Sequence, residues 1–84
     1  MKNIIHPSSL VAGSAVIENK VKVAPFCVIG ENVSIGEGTV LLPGCVLADG
    51  VKVGPGAKLG AHVTLGESTV LQAGVTIGDH TVIH

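Results

Sequence analysis

The sequence has almost no aromatic residues: Phe26 is the only one, and Trp and Tyr do not occur among its 84 residues. A core built on aromatic rings is therefore excluded, and aliphatic side chains must fill the interior. Charged residues are also scarce, at 13% of the chain, and the formal net charge is −1. This balance excludes a basic surface for nucleic acid or for an anionic membrane.

Targeting and membrane signals are missing as well. No apolar run approaches the roughly 18–20 residues that a transmembrane helix needs, and residues 1–7 lack the apolar stretch of a signal peptide. Cysteine is limited to Cys27 and Cys45. Without a secretory signal, both are expected to be reduced thiols. These features predict a cytoplasmic protein that does not insert into membranes.

A strict six-residue repeat runs through the chain. From Ile5 onward, every sixth residue is Ile, Val or Leu. The repeated residues are Ile5, Val11, Ile17, Val23, Ile29, Ile35, Leu41, Leu47, Val53, Leu59, Leu65, Leu71, Ile77 and Ile83. Neither the helical period of 3.6 nor the two-residue alternation of a plain strand gives this spacing. A period of six predicts a β-solenoid in which each hexad contributes one short strand and one turn.

The positions within each hexad have different roles. Position one is the large aliphatic residue, position five is small or β-branched, and positions two and four are often Gly. We expect positions two to four to form the turn, where Gly and Asn tolerate a positive φ. Positions five, six and the next position one should form the strand, with side chains that point in, out and in.

A second spacing, of 18 residues, indicates three strands per coil. It separates residues of one type across the chain: Pro7, Pro25 and Pro43; Cys27 and Cys45; His62 and His80; Glu31, Asp49 and Glu67. Residues 18 apart should then lie one above the other, separated by the strand spacing of about 4.8 Å. The sequence predicts an all-β, three-sided parallel solenoid: one domain over residues 1–84, with a little over four coils.

The outward residues at position six form three columns, one on each side of the solenoid. Two of the columns contain lysine: Lys22 and Lys58 in one, Lys52 in another. The third column has no charge and consists of Leu10, Val28, Val46, Thr64 and Val82. Strand propensity alone favours outward Val, but a contiguous apolar stripe is typical of an interface. We expect self-association through this column, and a cyclic trimer suits a three-sided prism.

Three segments carry a resemblance to a known family: residues 5–9 (IHPSS), 23–30 (VAPFCVIG) and 35–41 (IGEGTVL). They resemble the opening coils of the bacterial hexapeptide-repeat acyltransferases of lipid A biosynthesis, the UDP-N-acetylglucosamine O-acyltransferases and the related glucosamine N-acyltransferases. The resemblance implies a left-handed helix, a homotrimer with sites between subunits, and acyl-carrier protein as the acyl donor to a UDP-amino sugar. The left hand follows from the resemblance alone, since parallel connections ordinarily favour the right hand.

The catalytic motif of that family, an Ile-Ala-His sequence, is not matched. The nearest segments are Leu59-Gly60-Ala61-His62 and Ile77-Gly78-Asp79-His80, in which His falls one position later in the hexad. The family's later coils and helical carboxy-terminal domain are not matched either. We therefore expect a truncated, divergent or engineered module that is not catalytic on its own and holds no cofactor. Uncapped coil ends would also favour end-to-end stacking.

One alternative is a small trimeric enzyme or metal-binding protein with sites between subunits. In that hypothesis His62 or His80 would be the catalytic base, or the two would bind zinc together with a histidine of a neighbouring subunit. A plain turn ladder would also place the two histidines in one column. A purely structural, self-assembling module is the third hypothesis.

Overall fold

The computed structural model describes residues 3–84, and every regular element in that range is a two-residue strand. The strands are β1 (Ile4–Ile5), β2 (Leu10–Val11), β3 (Val16–Ile17), β4 (Lys22–Val23), β5 (Val28–Ile29), β6 (Ser34–Ile35), β7 (Val40–Leu41), β8 (Val46–Leu47), β9 (Lys52–Val53), β10 (Lys58–Leu59), β11 (Thr64–Leu65), β12 (Val70–Leu71), β13 (Thr76–Ile77) and β14 (Val82–Ile83). Residues 3–84 contain no helix that could cross a membrane.

Three parallel sheets form the three sides of the solenoid. Face A contains β1, β4, β7, β10 and β13; face B contains β2, β5, β8, β11 and β14; face C contains β3, β6, β9 and β12. Each strand from β1 to β11 pairs with the strand three places further along the chain, as Val28 pairs with Val46. The predicted 18-residue coil is therefore confirmed, and the fold is the left-handed hexapeptide-repeat β-helix that the resemblance implies.

Positions one and five fill the interior, as predicted. In the central coils these side chains are almost fully buried; Leu47 is 1% exposed and Val51 is 0% exposed. Each buried aliphatic side chain of this size contributes about 1.5–3 kcal/mol. Burial is only partial for Ile5, Ile17 and Ile83, because the outermost coils have a neighbouring coil on one side only.

The strands are shorter than predicted. Position five points inward, but the paired ladder contains only positions six and one. In five of the turns the reason is local: the amide of position five donates to the carbonyl of position two within the same turn, as Val51 N does to Ala48 O at 3.4 Å. That amide is then unavailable to the neighbouring coil, so regular pairing begins at position six.

Polar side chains at position five donate to a carbonyl of the next coil or, for Thr69 and Thr81, of their own turn. Thr39, which is fully buried, donates its hydroxyl to Gly54 O at 2.9 Å, and Cys45 Sγ donates to Gly60 O at 3.0 Å. Both cysteines are free thiols in the interior, as predicted. A hydrogen bond with the Cys27 sulfur and burial together hold the pKa of Cys45 far above its ordinary value. We therefore assign Cys45 as a neutral core residue.

Glycine has two separate roles in the turns. Within the described residues, every position four from Lys20 to His80 has a positive φ, whether or not it is Gly. Position two does not share this conformation. A side chain on Gly36 would put its Cβ 2.5 Å from Pro55 N in the next coil. The glycines at position two therefore allow close approach of the coils, whereas the predicted tolerance of positive φ applies to position four.

Candidate functional site

Face B presents the predicted uncharged column to solvent. Leu10 is 68% exposed, Val82 54%, Val28 40% and Val46 37%, and Thr64 is half-buried. The parallel pairing brings all five onto one sheet in neighbouring registers. The prediction that these five residues form one outward column is confirmed. The role of the column as an interface stays a prediction.

The apolar surface continues around one corner of the prism. Corner AB, the turns between faces A and B, consists of residues 6–8, 24–26, 42–44, 60–62 and 78–80. Its second and third turns carry no charge: they read Ala-Pro-Phe and Leu-Pro-Gly. Phe26 is 72% exposed and Leu42 is 43% exposed. Neither residue belongs to the predicted interface. The sequence does contain a signal for Phe26, because it is the one aromatic residue and it occupies a turn position.

The backbone of Phe26 adopts a conformation that its side chain disfavours. Its φ is 64°, in the left-handed region where bulky residues are rare. The same position one coil later is Gly44, which has no such penalty. A hydrogen bond from Phe26 N to Ser8 Oγ, at 3.1 Å, holds this turn to the preceding coil. An exposed aromatic ring is thus kept where another residue would fold more easily.

The two candidate histidines lie in the same corner. The rings of His62 and His80 stack with centroids 5.3 Å apart and planes inclined by 9°. The His62 ring also covers Gly44, where any side chain would collide with it. The structure therefore brings the two histidines together as the spacing predicts.

Their arrangement does not supply an oriented catalytic base. The nearest acidic residue in sequence, Asp79, accepts a hydrogen bond from Ala61 N at 2.9 Å, and no carboxylate within residues 3–84 is hydrogen-bonded to either ring. General-base catalysis needs an imidazole held toward its substrate. Residues 3–84 also contain no group of three metal ligands. Zinc at His62 and His80 stays a prediction, and it requires a ligand from another copy.

The opposite edge of face B is chemically different. Corner BC, the turns between faces B and C, carries Glu31, Asp49 and Glu67. Asp49 Oδ1 accepts a hydrogen bond from Glu31 N at 2.9 Å, and the Glu31 carboxylate accepts one from Ser14 Oγ. Two of the three acids therefore tie neighbouring coils together. This corner is charged and hydrogen-bonded, whereas corner AB is apolar in its second and third turns.

Face A contains a groove that has no counterpart in the sequence prediction. Its volume is about 590 Å³, and its walls include Lys22, Val40, Leu42 and Lys58. Gly60 and Gly78, which follow Leu42 at position two of successive coils, also line the groove. Asp79 lines the groove as well, so its apolar walls carry both ammonium and carboxylate groups.

Comparison with known proteins supports the resemblance. Residues 32–67 match the family model described as bacterial transferase hexapeptide (six repeats). The UDP-3-O-acylglucosamine N-acyltransferase of Psychrobacter cryohalolentis is 60% identical over 37 residues, 44% of this chain and 11% of the relative. The acyl-[acyl-carrier-protein]--UDP-N-acetylglucosamine O-acyltransferase of a Psychrobacter species is 47% identical over 38 residues, 45% of this chain and 15% of the relative.

A solved structure extends the likeness along the whole solenoid. The acetyltransferase domain of PglB from Neisseria gonorrhoeae superposes with a TM-score of 0.50 at 25% identity, covering 98% of this chain and 49% of that domain. The segments that match the two Psychrobacter acyltransferases cover less than a sixth of the length of either enzyme. The predicted resemblance is confirmed: the chain is a hexapeptide-repeat β-helix that is similar, over less than half of its length, to these acyltransferases.

Proposed function

We propose that this chain is a self-associating, trimeric β-helix module of the acyltransferase type that is not catalytic on its own. The observation that carries the proposal is the uncharged column on face B, with four aliphatic side chains at least 37% exposed. Soluble monomers rarely keep such a stripe in contact with water, and stripes of this kind are typical of interfaces. A three-sided prism with one apolar side suits a closed ring of identical subunits.

The related enzymes suggest the chemistry to which the module is connected. Their names describe acyl transfer onto UDP-linked or acylated glucosamine, in one case from acyl-carrier protein. We propose that this module belongs to the cytoplasmic pathway of lipid A biosynthesis. The stacked arrangement of His62 and His80, without a carboxylate partner, supports a module that lacks its own catalytic base.

The solution mass tests self-association. Light scattering on a sizing column, over a tenfold range of protein concentration, should give about 25 kDa, three times the 8.4 kDa of one chain. A mass of one chain across the whole range would overturn the proposal, because a monomer has no clefts between subunits.

An acyl-transfer assay tests the absence of autonomous catalysis. Purified trimer, acyl-[acyl-carrier-protein] and UDP-N-acetylglucosamine should give no acylated sugar above the rate without protein. Product that disappears in a His62→Ala variant would instead establish the small-enzyme alternative. The matched control is His84→Ala, which removes a histidine outside corner AB.

A further inference from the structure

We propose that Phe26 anchors the assembly: corner AB of one copy docks on face B of a second copy, with the phenyl ring seated among Leu10, Val28 and Val46. The inference rests on the proposed self-association through face B and adds the missing half of the contact. It makes the interface heterologous, so that each copy uses one corner and one face.

The heights of the two surfaces match along the solenoid axis. Phe26 precedes Val28 by two residues in an 18-residue coil, which corresponds to an axial offset of about 0.5 Å. In a cyclic ring, all copies lie at one height. Phe26 of one copy therefore faces Val28 of the next, with Leu10 one coil to one side and Val46 one coil to the other. By the same rule, Leu42 faces Val46.

The angle between the two surfaces closes the ring at three. In a three-sided prism, the directions from the axis to a face and to an adjacent corner differ by about 60°, and each member of a three-membered ring sees its two neighbours about 60° apart. Corner AB borders face B, so a corner-to-face contact returns to the starting copy after three steps. The proposed trimer then needs only this one type of contact.

Charge selects corner AB over the other corner that borders face B. Docking corner BC on an aliphatic column would bury the Glu31 and Asp49 carboxylates against side chains that cannot pair with them, which is costly. At the same height, corner AB offers Phe26 and Leu42 among alanine, proline and glycine. The two uncharged turns of corner AB therefore meet an uncharged face.

The conformation of Phe26 supports the role of an anchor. The ring is 72% exposed, and its backbone φ of 64° would suit glycine or asparagine better. The isolated chain gains little from phenylalanine at this position. Buried aromatic side chains are the residues that most often dominate the binding energy of protein interfaces. A second copy gives the ring the apolar surroundings that its own chain does not.

The experiment that tests this inference separates assembly from folding. Phe26→Asn should raise the concentration at which the trimer dissociates at least tenfold, while the melting temperature of the dissociated chain stays equal or rises, because Asn tolerates a positive φ. Ser68→Asn is the matched control, since Ser68 occupies the same hexad position at corner BC with a φ of 61°. The control variant should dissociate like the wild type.

A wild-type chain that stays monomeric would overturn the proposed function itself. A wild-type trimer that Phe26→Asn leaves unchanged would overturn only the corner-to-face contact.

Cross-linking supplies a positive test. A Phe26→Cys variant mixed with a Val28→Cys variant should form a disulfide between the two different chains under mild oxidation. Disulfides confined to identical pairs, 26 to 26 or 28 to 28, would indicate a symmetric contact and would overturn the inference.

Discussion

Faces B and C both expose aliphatic residues, yet we expect only face B to form an interface. On face C, Val16 is 53% exposed and Val70 is 61% exposed, more than Val28 or Val46 on face B. The difference is Lys52, which lies between the two ends of face C and interrupts its apolar column. Exposure of individual side chains therefore does not distinguish the two faces, and continuity of the uncharged column does.

The comparison has a simple electrostatic basis. Outward Val on a strand is explained by strand propensity and requires no partner. A lysine in the same column must keep its ammonium group hydrated, since burial of an unpaired charge is costly. Face C can thus contact a partner only around Lys52, whereas face B can be covered along its whole length.

The largest expected effect is the loss of assembly when a charge enters face B. Val46→Lys, or Val28→Lys, should convert the trimer to monomers, because each interface would bury an unpaired ammonium group. Light scattering at matched concentrations measures the change. Val70→Lys, which places the same charge on face C, should leave the mass at that of the wild type. If Val46→Lys and Val28→Lys both kept the mass of the wild type, face B would not be the interface.

A smaller effect is expected from the interior behind each face. Leu47→Ala, behind face B, should lower the free energy of unfolding by about 2–5 kcal/mol, since Leu47 is 1% exposed. Leu71→Ala, behind face C, should cost less, because Leu71 is 9% exposed. Urea unfolding of both variants measures the difference. A greater loss for Leu71→Ala would contradict the observed gradient of burial.

A conservative change on face C should sharpen the contrast. Lys52→Val makes the column of face C uncharged, and aliphatic apart from Ser34, so weak additional association should appear. The expected result is a mass that exceeds that of the trimer only at the top of a tenfold concentration range. Lys22→Val on face A is the control, because Lys58 keeps that column charged. Additional association of the control variant would mean that loss of any charge, not continuity of the column, promotes contact.

The smallest effect concerns zinc at corner AB. If His62 and His80 bind zinc with a histidine of another copy, the trimer should retain zinc after dialysis, and His62→Ala should lose it. His84→Ala should retain as much zinc as the wild type. Elemental analysis of the dialysed protein decides the matter, and metal-free wild-type protein would end the zinc hypothesis.

The sequence alone was sufficient for the coil and for its outward columns. The spacing of 18 residues predicts that Val28 and Val46 are neighbours, because a repeat with identical units leaves only one register. The same spacing predicts the stacked positions of His62 and His80. Handedness came from the resemblance, because the hydrophobic period is the same for both hands.

Features that depend on the placement of individual side chains could not be predicted. The groove on face A depends on how Lys22, Leu42 and Lys58 lie on the surface, which a pattern of hydrophobic positions does not record. The hydrogen bond from Ala61 N to Asp79 depends on one rotamer in the next coil. To predict that the ring of Phe26 is exposed, one must know that position four points outward and has a positive φ.

The uniform hexad has a consequence for insertions and deletions. Because three hexads make one coil, a change in length of 18 residues returns every later residue to its own side of the prism. Loss of a single hexad between Val28 and Val46 would instead rotate all later residues by one side and bring Lys52 onto face B. Length variation that preserves the assembly should therefore occur in whole coils, which makes the coil, and not the hexad, the unit of change in this solenoid.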